Sequence, residues 1–448
     1  MMGAPVAPIT SMDPAMRHDD TIMALSSGVL PAGVAVIRLS GPKVRDALMA
    51  VSGPLPKPRL MALRHIGDAG QRLDQGLVVF FPGPASFTGE DCAELHVHGS
   101  RAGVKAILAA LSGQGLRLAE AGEFTRRAFE NGKLDLLTVE GLGDLLAADT
   151  ERQRQQALAR YDGALSAKVE QWRSVLLDLR AELEARLDFS DEGDVDAELP
   201  DSFLDSLVGL RRSIADTLAA VESGRVVREG IRVALAGAPN AGKSSLINAL
   251  AKSDIAIVSD EAGTTRDVRE VPLDIDGNLF VFLDLAGLRN TDNKAEAEGI
   301  RRAKQAMEGA DIVLWLMAPD TQDATLPGDL TGKIIRVATK SDLTAATAPH
   351  DLQLSAVSGE GLDMLFATLA RYAEDLIGGE PALVSHERDR MALSAAVANI
   401  DRAEATLKQF ELAAESLREA SASLERLIGK LDAERVLDRL FLQFCIGK

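Results

Sequence analysis

A run of apolar residues, Ile231-Arg-Val-Ala-Leu-Ala236, leads directly into Gly237-Ala-Pro-Asn-Ala-Gly242-Lys243-Ser244, and Ser245-Leu-Ile-Asn-Ala-Leu250 follows as a helix. A complete G-x-x-x-x-G-K-S string between a strand and a helix fixes the local fold. Its glycines let backbone N–H groups converge on a phosphate at the helix N-terminus. Residues 231–376 alternate strand and helix, the pattern of a mainly parallel sheet with crossover helices. Within the loop, Asn240, Ala241, Gly242 and Ser245 surround the nucleotide. Lys243 is placed to reach the β- and γ-phosphates, and the Ser244 hydroxyl to ligate Mg²⁺.

Three more segments narrow the nucleotide. Leu279-Phe-Val-Phe-Leu-Asp284 reads as a strand ending in Asp284, a partner for the Mg²⁺ shell, with Gly287 after it facing the γ-phosphate. In the loop before it, Thr264-Thr265-Arg266 offers a threonine to complete that shell. Ile334-Ile-Arg-Val-Ala-Thr339-Lys340-Ser341-Asp342 reads as a strand entering a base-reading loop, and Ser355-Ala356 as the last base contact. The Asp342 carboxylate can accept both N1–H and N2–H of guanine, a pattern adenine lacks, so the reading is GTP. Thr339 stands where such loops carry asparagine, and Leu285 where they carry threonine, with Ala286 and Gly287 following. The expectation is that Asp342 preserves guanine selectivity, at some cost in affinity. Leu288 follows Gly287 and cannot orient a water as a glutamine does there, so hydrolysis must draw on another residue or on a cation.

The rest of the chain is organised around this segment. At 448 residues roughly three domains are expected, and aromatics at 4% favour cores of Leu, Ala and Val. Residues 1–20 read as a disordered leader without the apolar core of a secretion signal. Residues 21–135 mix strands and helices into an α/β domain, with strands at Val34–Leu39, Leu77–Phe81 and Glu94–His98. Residues 136–230 read as helical, Val169, Trp172, Leu176, Leu179, Leu183 and Leu187 marking one face. After a linker at 378–381, residues 377–448 return to helix. There Phe410, Leu417, Leu424 and Leu431 recur every seven, although Ser421 and Gly429 weaken a coiled coil. The two helical segments are expected to form one bundle, with the nucleotide domain inserted between them. Asp188–Asp196 is rich in carboxylates but lacks EF-hand spacing, and reads as a solvated turn. Trp172 and Trp315 read as core.

Charge and cysteine content exclude several classes. With 49 Lys and Arg against 67 Asp and Glu the net charge is −18, which opposes non-specific binding to DNA or RNA. An RNA partner must meet a local basic patch or be held through another protein. Cys92 and Cys445 make no disulfide or metal framework, and no run is long enough for a membrane span. The chain reads as cytoplasmic. Glu94, His96 and His98 share a strand face, but no further ligand for a metal is evident.

Within the nucleotide domain and well outside it, the chain is similar to the tRNA modification GTPase family called MnmE or TrmE. The likeness rests on Gly33-Val-Ala-Val-Ile-Arg-Leu-Ser-Gly41, Phe87-Thr-Gly-Glu-Asp91, Gly122-Glu-Phe-Thr-Arg-Arg-Ala-Phe129 and Asn131-Gly-Lys-Leu-Asp135. Arg228-Glu-Gly230, Gly263-Thr-Thr-Arg-Asp267 and the terminal Phe444-Cys-Ile-Gly-Lys448 extend it. The resemblance implies an N-terminal domain that dimerises and binds a 5-formyl-tetrahydrofolate-type donor, with contacts at Arg38, Glu94, Lys133 and Lys448. It implies an FAD-containing partner protein and, as product, an aminomethyl-type group on C5 of the wobble uridine of certain tRNAs. Nucleotide and cation contacts fall on Asn240, Ser244, Ser259, Asp260, Glu261, Ala262, Gly263, Thr264 and Thr265, and on Asp284 to Gly287. The hydrolytic carboxylate falls on Glu296, with Glu298 as a rival. A potassium cage would draw on Asn240, Ser259, Glu261 and Thr264, with Arg266 and Arg289 as the alternative source of positive charge. Cys445 is either a nucleophile or a small residue packing beneath the last helix. A ribosome-assembly GTPase and a purely regulatory switch are the competing functions.

Overall fold

The computed structural model describes residues 20–188, 199–257, 269–284, 305–320, 332–344, 349–379, 382–431 and 447. Backbone contacts divide the chain into two compact units, Met1–Gly143 with Leu424–Lys448, and Asp144–Ser423. The division falls inside the Leu136–Leu146 helix, eight residues beyond the 135/136 boundary drawn from the sequence.

The first unit is built on a six-stranded sheet. Its strands are β1 (Ile22–Leu25), β2 (Ala32–Ser40), β3 (Ala62–Asp68), β4 (Gln71–Phe81), β5 (Cys92–Gly99) and β6 (Arg117–Leu118), in the order β3-β4-β5-β2-β1-β6. All neighbours are antiparallel except β1 and β6. Because side chains alternate across a strand, Ala35, Ile37 and Leu39 of β2 and Ala93, Leu95 and Val97 of β5 share one face. They form a single core with apolar residues of the Val44–Ser52 and Arg101–Gly113 helices. Arg38, Glu94 and His96 therefore project from the other face.

The second unit contains the nucleotide-type domain and helices. Its sheet has β7 (Ile231–Gly237), β8 (Arg269–Ile275), β9 (Asn278–Asp284), β10 (Ile312–Met317), β11 (Lys333–Ala338) and β12 (Leu352–Gln353), in the order β12-β11-β10-β7-β9-β8. Only β8 runs antiparallel to its neighbour. The central β7 is apolar on both faces because both are covered: Val233 and Leu235 enter one core, Ala234 and Ala236 the other. In the helical part, Glu387–Ala405 packs along Asp201–Ala219, which also meets Ala164–Asp188. Segments from both sides of the insertion thus pack together. Trp172 and Trp315 are both buried.

The seven-residue repeat near the C-terminus needs correction. The last described helix, Phe410–Leu427, stops before Leu431, which is 40% exposed. Gly429 breaks it with φ +78, where a Cβ would lie 2.9 Å from Leu136 Cβ and 3.1 Å from the Phe129 ring. A left-handed residue pressed against another helix cannot continue the coil. No helix among the described residues is long and apolar enough to cross a membrane.

Candidate functional site

The phosphate loop sits where β7 ends. Gly237 has φ +137, and a Cβ there would lie 2.3 Å from the Leu316 carbonyl oxygen of neighbouring β10. Only glycine lets the chain leave the sheet at that point. Asn240 (φ +62) and Gly242 (φ +93) are also left-handed, so the backbone curls before the Lys243–Leu250 helix begins. Positive φ at these positions creates a concavity of N–H groups at a helix N-terminus, the arrangement that suits an anion. Lys243 Nζ donates to the Gly237 and Ala238 carbonyls, each at 2.8 Å, which holds the ammonium across the entry to the loop. Ser244 and Ser245 follow in the helix's first turn.

The base-reading loop is fastened to the phosphate loop by the residue that departs from the usual pattern. Thr339 is 5% exposed, and its hydroxyl donates to the Ala241 carbonyl at 2.8 Å. It also lies 3.3 Å from the Met317 carbonyl. A hydroxyl thus makes a tie between the two loops although the amide is missing. Lys340, at φ +59, turns outward and pairs with Asp320 at 2.7 Å. The ammonium holds the Asp320 carboxyl below the usual carboxylate range. Ser355 Oγ lies 2.6 Å from Asp342 Oδ1, while the amides of Val357 and Ser358 both donate to Ser355 Oγ at 3.2 Å. With two amides on its oxygen, the Ser355 hydroxyl is left to donate to Asp342. Ala356 lies between, half-buried.

Register places Asp284 on the phosphate-loop side of the sheet: its backbone pairs with Leu235 of β7, the strand that leads into that loop, and with Arg269 of β8. Ser259 through Thr265, Leu285 through Gly287, and Glu296 with its rival Glu298 lie outside the described residues, as do Cys445 and Lys448. Asp320 is a residue that motif reading missed. Its signal was its place just past the carboxyl end of a central parallel strand, where such sheets gather ligand contacts.

A second site lies on the exposed face of the first unit. Arg38 and Glu94 are direct cross-strand partners, and both Nε and Nη2 of Arg38 donate to Glu94 Oε1 at 3.1 and 3.0 Å. The other carboxylate oxygen meets His96 Nε2 at 3.1 Å. His98 is engaged separately with Asp74 at 2.8 Å, and no group of three or more ligating side chains among the described residues could hold a metal. The Arg38 guanidinium also stands 5.8 Å from the Phe87 ring and 5.9 Å from Phe124. A cavity of about 470 Å³ opens beside it, walled by Arg38, Arg59, Phe81, Phe87, Cys92 and Glu94. Lys133 Nζ donates to the Pro84 carbonyl at 3.1 Å on the loop bordering that cavity. Gly447 also reaches this face: its carbonyl accepts from Ser26 Oγ at 2.9 Å and is 3.5 Å from Arg38 Nη1. The structure thus brings Arg38, Glu94, Lys133 and the penultimate residue to one region. Sequence reading missed Arg59, Phe81 and Cys92, which close the cavity walls.

Residues 136–445 match the model of the MnmE helical domain, and residues 21–133 that of the GTP-binding protein TrmE N-terminus. The chain belongs to the MnmE family. A tRNA modification GTPase MnmE of Azorhizobium caulinodans is 49% identical over 438 residues, covering 96% of this chain and 100% of the relative. The MnmE of Sinorhizobium medicae is 48% identical over 442 residues, covering 97% and 100%. Among solved structures, a variant of Aquifex aeolicus Era bound to GDP.AlF4- aligns at 25% identity, with a TM-score of 0.26. It covers 38% of this chain and 66% of that one, too loose a likeness to carry weight. The MnmE family match therefore spans both units, cavity and phosphate loop alike.

Proposed function

We infer that this chain is a GTPase acting in tRNA modification: it binds GTP, hydrolyses it to GDP, and serves a reaction on tRNA. The observation that carries the nucleotide half is the Thr339–Ala241 bond, which joins a guanine-type loop carrying Asp342 to the phosphate loop. The tRNA half rests on the full-length likeness to MnmE proteins. Mass spectrometry of wobble uridines from a strain lacking this protein tests it. Loss of a C5 substituent is expected, and an unchanged uridine profile would sink the reading.

In this proposal Ser244 and Thr265 would hold Mg²⁺, which would supply positive charge at the phosphates. Ser244, in the first turn of the Lys243–Leu250 helix, suits that role. Glu296 orients the attacking water through its carboxylate, a task Leu288 cannot do. Asn240, Ser259, Glu261 and Thr264 surround a potassium ion. The left-handed backbone at Asn240 supports this, because it sets the residue's side chain off the helical path at the lip of the loop. Turnover in potassium buffer is then expected to exceed turnover in sodium at matched ionic strength by at least about tenfold, a loss of one transition-state charge contact. Asn240→Ala should erase most of that difference while retaining Mg²⁺-dependent binding. Equal single-turnover rates in the two salts would return the role to Arg266 or Arg289.

The N-terminal cavity, we propose, takes the folate-type one-carbon donor. About 470 Å³ with aromatic walls and an Arg38–Glu94 pair suits a flat, hydrogen-bonding bicyclic ring. Arg38, Glu94, Lys133 and Lys448 bind it, and Cys445 lies two residues before the docked Gly447. The donor supplies the carbon unit; the chain's residues hold and orient it. Arg38→Ala leaves the Glu94 carboxylate without its guanidinium partner and should weaken 5-formyl-tetrahydrofolate by about tenfold or more. Calorimetry showing wild-type affinity would remove Arg38 from the site. A homodimer and an FAD-containing partner protein complete the proposed assembly.

A further inference from the structure

The two halves of the chain differ in charge. Residues 21–135 carry 13 Lys and Arg against 10 Asp and Glu, whereas residues 136–448 carry 35 against 54. Only the N-terminal α/β domain is net positive, in a chain whose overall charge repels a phosphate backbone. Many of its cations are consumed internally. Arg45 pairs with Asp91, Arg117 with Asp20 and Glu123, and the fully buried Arg127 with Glu90, Asp20 and Glu123. At the cavity mouth it is otherwise. Arg59, which lines the cavity, and Lys57, its near neighbour in the chain, are exposed and meet no carboxylate among the described residues. Arg59 donates to the Ala85 carbonyl and stands 5.8 Å from the Phe81 ring. Lys133 holds the adjacent carbonyl, Pro84. Two cations thus sit on consecutive peptide units of one loop at the cavity's edge, with Lys57 two residues from Arg59.

We propose that this rim, Lys57 and Arg59 with Lys133, is the docking surface for the phosphate backbone of a single-stranded RNA loop of the tRNA substrate. The inference rests on the tRNA reading above. Unpaired cations supply the sequence-independent part of RNA affinity through counterion release, and no other domain of the chain, taken whole, has a positive balance. The cavity explains the choice of a loop over a duplex. A-form RNA presents its bases edge-on in a groove, whereas a loop can splay a base outward. A base leaving a backbone held on the rim faces a cavity walled by Phe81 and Phe87. The rim holds the strand; the cavity holds the one-carbon donor toward which the splayed base is turned.

The test uses the full chain and a fluorescent RNA hairpin with the sequence of an anticodon stem–loop carrying a wobble uridine, titrated across salt concentrations. Lys57→Gln/Arg59→Gln should bind about tenfold more weakly. The slope of log K against log salt should become shallower by about 1.4, two single-strand phosphate contacts at roughly 0.7 each. Lys43→Gln/Lys105→Gln removes two exposed cations from the helical layer on the opposite face, and should leave both quantities unchanged. Melting temperatures of all variants establish that they are folded. Equal losses in both double variants would mean diffuse attraction and overturn the surface. So would unchanged hairpin affinity with weakened 5-formyl-tetrahydrofolate, which would assign the rim to the small ligand. Absence of hairpin binding by the unaltered protein overturns the docking surface alone, because wobble-uridine mass spectrometry judges the tRNA modification reading separately.

Discussion

Asp342→Asn protein is expected to bind GTP at least about a hundredfold more weakly and to gain affinity for xanthosine triphosphate. The geometry fixes which way the new amide would point. Ser355 Oγ accepts from the amides of Val357 and Ser358, so its proton goes to Asp342 Oδ1 at 2.6 Å. An asparagine here keeps its oxygen toward that proton and turns its NH₂ to the position of Oδ2. Guanine then meets a donor with its own donors, whereas xanthine offers a carbonyl at the same ring position. Hydrogen bonds to a charged acceptor contribute about 1.5–3 kcal/mol each, and an opposed donor adds its own desolvation cost. Two such bonds account for the expected factor. Displacement titrations with GTP, xanthosine triphosphate and ATP measure it directly. Unchanged GTP affinity would show that the 339–342 loop does not read the base.

The parts of this protein that could be read from sequence are those set by local chemistry. The phosphate loop is one: strand, glycines, lysine and helix follow each other within twenty residues, and each has a single structural use. The face bearing Arg38 and Glu94 is another, because period-two alternation in Val34–Leu39 and Glu94–His98 already separates it from the core face. What could not be read depended on contacts distant in sequence. The tie from Thr339 to Ala241 spans 98 positions, so the missing amide pointed to weaker affinity without revealing the substitute bond. Arg59 sits among prolines in Pro56-Lys-Pro-Arg59 and has no periodicity to mark it. Its role appears only when the chain folds it against Phe81 and Ala85. Leu431 failed for the opposite reason. Its spacing is right, but Gly429 is pressed against Leu136 and Phe129, and that packing ends the helix first.

The largest expected effect on stability is at Asp389, and it bears on how the nucleotide domain is held. Arg160 and Asp389 have fully buried side chains and meet at 2.9 Å. The same guanidinium donates to the Leu383 carbonyl, and its Nε lies 3.8 Å from Asp144, which in turn meets His386 at 2.9 Å. Asp389→Ala removes the near counter-charge and leaves the guanidinium buried, which costs about 3–5 kcal/mol. Replacing both partners, as Arg160→Met/Asp389→Leu, removes the charge together with its burial cost. Most of the lost stability should therefore return. Trp172 and Trp315 are the two tryptophans of the chain, and both lie in this unit, so their fluorescence follows its unfolding in denaturant. A double variant less stable than Asp389→Ala would show that the polar pair stabilises beyond avoiding an unpaired charge. The location gives the result a functional edge. Gln156, one turn before Arg160, donates to the carbonyls of Gly224 at 3.2 Å and Ala382 at 2.8 Å, and Gln153 to that of Arg228 at 3.0 Å. One face of the Glu151–Tyr161 helix therefore grips the chain both entering β7 and leaving the nucleotide domain. At Gly224 a Cβ would lie 2.0 Å from the Val384 carbonyl oxygen, so the two connections run in direct contact. Asp389→Ala should loosen this grip without touching the phosphate loop. GTP binding is then expected to persist at temperatures below the lowered melting point, even as the connection to the helices weakens.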